Sequence, residues 1–202
     1  ISIGIFKPWF GHAQPDVVAA CQKGIELLEA RGAQVVPIEI PHLDLMRLAH
    51  GTIIASEMVT SMSDIYPHHH KDFGLDVRIN LAVARRFSNA DYIKAHRVRT
   101  LAMDLFGELF KNVDAIATPT TACTATTIEN DAVPLGESNL NLLTQIMRFA
   151  FPANLTGLPA ISVPVGYDHN HRPIGLQLMG CAWEEHPLLR LARVVESGLV
   201  VR

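Results

Sequence analysis

Serine and glycine patterns are the first places in this sequence where hydrolytic or nucleotide chemistry could reside. A serine hydrolase of the α/β type needs a G-x-S-x-G turn that lifts its hydroxyl above the sheet, and no serine here has that frame. The chain also lacks Ser-Ser and Gly-Gly dipeptides. The phosphate-binding patterns GxGxxG and GxxxxGKS/T are missing as well. We therefore expect neither a catalytic serine of that type nor a nucleotide or other cofactor.

Histidine and cysteine are the next candidates for chemistry. The chain has 10 histidines, including a run at positions 68–70 and the pair His169 and His171. Adjacent histidines in a loop rarely converge on one ion without Cys, Asp or Glu partners, so we predict no metal site. Cys123 lies among threonines and alanines, which supply no positive charge to stabilise a thiolate. We do not expect it to be a nucleophile, and Cys21 falls on the apolar stripe of a predicted helix.

Composition restricts the class of protein further. The 202 residues are 49% hydrophobic, which is enough for a buried core. The net charge is −3 and the basic residues are scattered, so nucleic acid is not an expected partner. Neither a secretory leader nor an apolar run of about 20 residues is present. Because three cysteines at wide spacings give no disulfide framework, we predict an intracellular location, with peripheral membrane association left open.

The first forty residues predict a strand, helix, strand succession. An apolar strand opens the chain at residues 1–6, and an amphipathic helix follows from Pro15 to a stop at Gly32. Residues 34–40 again have strand character. A succession of this length is typical of a βαβ crossover, so we predict an α/β fold with a mixed β-sheet covered by helices.

The rest of the chain continues this alternation. We predict helices from Leu43 to about Met62, from Ala90 to Phe110 and from Asn139 to Ala150, with a loop between residues 66 and 76 and a last helix near the end. The helix at 90–110 is expected to bury one face, formed by Val98, Leu101, Ala102, Leu105 and Leu109.

Three strands are predicted in the second half. A short strand at 114–118 ends at Pro119 and leads into a Thr-rich connection that reaches Pro134. Long connections of this kind are often functional. Strands at 160–166 and 174–180 are joined by a short polar link and predict an antiparallel hairpin.

Three blocks of sequence carry a resemblance to a known family. They are DAIATPTT at 114–121, MRFAFPANLTGLPAISVPVGY at 147–167 and RPIGLQLMG at 172–180. In order and spacing they resemble the C-terminal core of amidase-signature enzymes. FSNADYI at 87–93 and IGIFKPWF at 3–10 are similar to plant-type fatty acid amide hydrolases. The resemblance runs from end to end, and we expect residues 1–202 to form the C-terminal part of a single amidase-signature domain, an incomplete copy of that fold.

The resemblance implies a serine nucleophile that a lysine activates through a second, bridging serine. In that family these residues lie upstream of the part matched here, so none is carried over, and the five lysines match no catalytic position. We therefore predict no catalytic residue and no activity for this chain alone. The chain departs from the family pattern at Gly180-Cys181-Ala182 and at Ala122-Cys123, which leaves the contacts at the rim of the site open.

Four residues are predicted to bind substrate by lining an apolar acyl pocket: Ile54, Leu143, Thr144 and Met147. They lie on two predicted helices whose neighbouring sequence matches the family, and the alternative is that they are ordinary core residues. The expected partners are a small-molecule acyl amide in a longer parent protein and a second copy of the chain as a homodimer.

Two other functions remain open. The chain begins with Ile1 and has a mean hydropathy of +0.19, which suits a piece cut from something longer and also a truncated, non-enzymatic binding module. The third possibility is another branch of the family, such as an amidotransferase subunit that acts on charged tRNA. An in-frame Gly/Ser-rich segment upstream of Ile1 would favour the enzyme.

Overall fold

A computed structural model describes residues 1–128, 136 and 138–199. Among these residues, five strands form one sheet in the order β2-β1-β3-β5-β4. The strands are β1 (Ser2–Ile5), β2 (Gln34–Pro37), β3 (Ala115–Pro119), β4 (Ala160–Tyr167) and β5 (Pro173–Gly180). The helices are α1 (Lys7–Phe10), α2 (Pro15–Ala30), α3 (Leu43–Ser61), α4 (Tyr66–His69), α5 (Leu75–Ala84), α6 (Asn89–Leu109), α7 (Leu140–Met147), α8 (Phe151–Thr156) and α9 (Glu185–Gly198).

The βαβ unit and the hairpin are confirmed. β1 pairs parallel with both β2 and β3, and α2 connects β1 to β2. β5 is antiparallel to β3 and to β4, so the sheet is mixed. The chain leaves α2 through Gly32, whose φ of 93° is a conformation that glycine adopts without a Cβ penalty.

The core lies on both faces of the sheet. On one face, α2 and α9 pack against the strands, and Cys21 is fully buried there, as expected for a small apolar side chain. On the other face, Trp9, Phe106 and Phe149 pack with Ile116 and Met179 of the sheet. None of the described helices combines the length and the apolar character that a bilayer crossing requires.

The prediction of a loop at residues 66–76 is correct for residues 70–74 and wrong at both ends. Helix α4 (Tyr66–His69) lies within the predicted loop, and α5 (Leu75–Ala84) begins within it. The sequence did not indicate α5. Pro67 lies in the first turn of α4, a position that leaves no hydrogen bond unmade, so proline there starts a helix and does not exclude one. Tertiary packing completes α5, because Leu81 and Ala84 are buried and the helix contacts α3.

Two predicted helices need correction in detail. The helix expected at 139–150 ends at Met147, and a separate helix, α8, begins at Phe151 with Pro152 in its first turn and ends at Gly157, whose φ is 77°. The helix expected at 90–110 is confirmed as α6, but Leu101 is exposed. Its fully buried residues are Ala95, Ala102 and Phe106, spaced at i, i+7 and i+11. The Thr-rich connection lies partly outside the described residues.

Candidate functional site

Two hydroxyl groups meet on the sheet where β3 ends. The Thr120 and Ser162 hydroxyl oxygens are 2.6 Å apart, and the Thr120 N–H donates to the Gly175 carbonyl at 2.9 Å. A Cβ on Gly175 would lie 2.6 Å from the Ser162 oxygen and 2.7 Å from that of Thr120. Glycine is therefore needed between these strands for the two side chains to approach each other.

The Thr120 and Ser162 hydroxyls are hydrogen-bonded to each other. Among the described residues, no lysine, histidine or carboxylate hydrogen-bonds to Thr120 or Ser162. A serine or threonine nucleophile needs a base that accepts its proton. The arrangement can donate a hydrogen bond to a substrate or support a neighbouring group.

A buried carboxylate fastens the Thr-rich loop to the hairpin. The Asp168 side chain, only 2% exposed, accepts hydrogen bonds from Arg172 Nε at 2.7 Å and from the Thr124 hydroxyl at 2.8 Å, and Arg172 Nη2 forms an ion pair with it at 2.6 Å. Backbone N–H groups of Asn170 and Arg172 also donate to it. Burial alone would raise the pKa of this carboxyl, but these hydrogen bonds outweigh it and hold the pKa well below its ordinary value.

This network positions α7 through the backbone of the loop. Arg172 Nη1 donates to the Ala125 carbonyl at 2.7 Å, and the Ala122 N–H donates to the Gln145 carbonyl of α7 at 3.0 Å. The Ala122 carbonyl accepts from the N–H of Gln14, just before α2, at 2.8 Å. Sequence reasoning did not find Asp168, although an Asp and an Arg four residues apart in a hairpin link are a usable signal.

The predicted substrate-binding residues lie at the surface of the described chain. Leu143 and Ile54 are 40% and 41% exposed, Thr144 is exposed and Met147 is half-buried. On α7 it is Leu142 that is buried. These residues are therefore not part of the core of this chain. The structure brings only Thr144 into the lining of the pocket described next.

A pocket with aromatic walls lies where α1, α3, α7 and α8 approach one another. Its volume is ≈ 360 Å³. The ring centroids of Trp9 and Phe149 are 5.2 Å apart, and those of Trp9 and Phe151 are 6.1 Å apart. The lining residues are Phe6, Pro8, Trp9, His12, Leu43, Asp44, Arg47, Thr144, Arg148 and Phe151. No pattern in the sequence indicated this pocket, since its residues come from distant segments.

The histidines at 68–70, His169 and Cys123, the other candidates for chemistry, do not line this pocket. The histidines at 68–70 are exposed, and His169 hydrogen-bonds to Asp16 at 2.9 Å. Within the described ranges, no three His, Cys, Asp or Glu side chains are grouped to hold a metal ion. Burial raises the pKa of the Cys123 thiol more than the charges of Arg148 and Arg172 lower it, so the thiolate is disfavoured.

Comparisons with known proteins identify the family of the chain. The family model described as Amidase matches residues 1–189. The fatty acid amide hydrolase of Medicago truncatula is 43% identical over 200 residues, which are 98% of this chain and 33% of that protein. One subunit of the glutamyl-tRNA(Gln) amidotransferase of Koribacter versatilis is 30% identical over 98% of this chain and 46% of its own length. The chain thus spans about a third of the plant relative.

Solved structures show the same fold. A protein described as "Crystal structure of amidase" superimposes with a TM-score of 0.85 at 21% identity, covering 98% of this chain and 45% of that chain. The corresponding glutamyl-tRNA(Gln) amidotransferase subunit of Thermotoga maritima gives a TM-score of 0.74 at 26% identity, with 99% of this chain and 43% of that chain covered.

Proposed function

The chain belongs to the amidase family, and we propose that it supplies the C-terminal part of a fatty-acid-amide-hydrolase-like enzyme. In this proposal it contributes part of the sheet and one wall of an acyl pocket, while the nucleophile comes from outside these residues. The reaction is hydrolysis of a carbon–nitrogen bond: attack on the amide carbonyl releases the amine, and water then releases the acid from the acyl-enzyme.

The outward face of α7 carries this proposal. Leu140, Leu143 and Ile146 are exposed on α7, and Leu142, one turn before Ile146 on the same apolar stripe, is buried. An exposed apolar stripe on a helix is expected to have apolar material packed against it. A long acyl chain, together with other parts of a parent enzyme, would supply it.

The same face separates the proposal from the amidotransferase alternative. Glutamine is a polar substrate, and binding it against exposed leucine and isoleucine side chains would leave its amide groups without hydrogen-bond partners. An acyl chain makes the opposite demand, because its binding is driven by removal of apolar surface from water. The identity to the plant fatty acid amide hydrolase, 43%, also exceeds that to the amidotransferase subunit, 30%.

Two experiments test the proposal. The first incubates the purified chain with a serine-directed fluorophosphonate and a long-chain acyl amide. We expect no labelling and no turnover, and labelled, active protein would show that the chain contains its own nucleophile.

The second experiment replaces the matching third of the Medicago truncatula relative by this chain and measures hydrolysis of long-chain acyl amides. We expect activity, and a higher KM when Leu143→Asp is introduced. Leu189→Asp, on α9, is the matched control because Leu189 is an exposed leucine on the opposite face of the sheet. A folded chimera that accepts glutamine but no acyl amide would favour the amidotransferase branch. Sedimentation of the same proteins tests the predicted homodimer.

A further inference from the structure

The lining of the aromatic pocket combines apolar and cationic side chains. Phe6, Trp9 and Phe151 supply rings, and Leu43 extends the apolar surface. Trp9 and Phe151 are buried, so the rings are held by packing and present a fixed surface. A cavity of ≈ 360 Å³ is within the size range of small-molecule sites.

Two arginines, Arg47 and Arg148, also line the pocket. Arg148 uses one N–H, on Nη1, to donate to the His12 carbonyl at 2.6 Å, which fixes the side chain and leaves further donors. Arg47 pairs with Asp44 at 3.6 Å, and the two side chains are 55% and 99% exposed. So exposed and long a contact is worth little. Two guanidinium groups therefore face the pocket against one solvated carboxylate.

We infer that this pocket binds a carboxylate that carries an apolar chain, with the carboxylate on Arg47 and Arg148 and the chain against Trp9 and Phe151. Guanidinium groups match carboxylates in charge and in the geometry of two parallel hydrogen bonds. The apolar rings bury the chain. The inference rests on the proposed function for the identity of the natural ligand, because the acid released from an acyl amide has this chemistry. The pocket would then retain or sense the product acid.

Trp9 is a built-in reporter for the test. The chain has 2 tryptophans; Trp9 lines the pocket and is 6% exposed, whereas Trp183 is 91% exposed. In the Trp183→Phe chain, the fluorescence of Trp9 is followed while laurate is added below its micelle concentration. Dodecanol, which has the same alkyl chain without the charge, is the matched ligand. We expect a saturable change with laurate and binding of dodecanol weaker by about tenfold.

Variants that change the charge of the pocket should change its affinity for laurate in opposite directions. Arg47→Gln should weaken laurate binding about threefold to tenfold, since one charge-assisted contact is lost at a half-exposed site. Asp44→Asn should strengthen laurate binding about twofold, because it removes the carboxylate that competes for Arg47. Arg193→Gln, an exposed arginine on α9, should change nothing. Thermal unfolding of each variant confirms that the fold is intact, and Arg47 is preferred over Arg148 because Arg148 also holds the His12 carbonyl.

Several outcomes would overturn the inference. They are no response of Trp9 to laurate, equal affinity for laurate and dodecanol, or unchanged laurate binding in a folded Arg47→Gln chain. These outcomes can be distinguished from a failure of the proposed function. An active chimera with no laurate binding would contradict only the pocket, and laurate binding without acyl-amide hydrolysis in a folded chimera would contradict only the proposed function.

Discussion

Gln177 holds the turn after α7 to the sheet, and its replacement by leucine tests how the pocket wall is supported. Its side-chain Nε2 donates to the Thr118 hydroxyl at 3.0 Å and to the Phe149 carbonyl at 2.9 Å, and all three residues are buried. Phe149 packs against Trp9 of the aromatic pocket. Gln177→Leu keeps the approximate volume of the side chain and removes both donors.

The expected cost follows from these two bonds. Each contributes about 1 kcal/mol net, and leaving the buried Phe149 carbonyl unpaired adds about 1–3 kcal/mol. We take the sum, about 3–5 kcal/mol, as the loss in free energy of unfolding. For a chain of this length each kcal/mol lowers Tm by about 2–4 °C, so a fall of about 6–20 °C is expected.

Urea and thermal unfolding followed by circular dichroism measure this loss, and Thr118→Val supplies a double-mutant cycle. Gln177→Leu leaves the Thr118 hydroxyl without its donor, and Thr118→Val removes that hydroxyl. The double variant should therefore be about 1 kcal/mol more stable than the sum of the single losses predicts. A Gln177→Leu chain within about 0.5 kcal/mol of the parent would refute the reasoning, as would strictly additive losses.

Two further predictions concern α3 and α6. Burial lowers the pKa of His50, which packs near Phe151, so the unfolded chain binds a proton there more readily than the folded one. The stability that neutral His50 contributes is complete above about pH 6.5 and falls as pH decreases toward the lowered pKa. His50→Leu should therefore flatten the dependence of the free energy of unfolding on pH between about pH 5 and 7. An unchanged dependence would contradict this prediction. Ser88 caps α6 in a capping box with Asp91, so Ser88→Ala should cost about 1 kcal/mol in thermal unfolding and Ser88→Gly less, whereas equal losses would argue against the side-chain cap.

Local patterns in the sequence determined most of the elements. The period of 3.6 residues in α2, α3 and α6 and the strands around the polar hairpin link at 168–172 can be read from neighbouring residues, because backbone geometry alone decides which side chains share a face. The strand, helix, strand succession indicated the α/β class, and the family blocks added the relation to amidase-signature enzymes, which the family model confirms. Pro67 and Gly74 lie at the starts of two helices inside the segment predicted as a loop, and the prediction failed at those positions.

Tertiary structure decided the site. The Arg148 guanidinium reaches a carbonyl 136 residues away, and the Thr124 hydroxyl reaches Asp168 across 44 residues. Such contacts depend on how the helices cross the sheet, and no period along the chain encodes that. The same cause explains why Thr144 lines the aromatic pocket while Leu143, its neighbour, does not: adjacent residues of a helix point about 100° apart, and only the packed position of α7 selects which one enters.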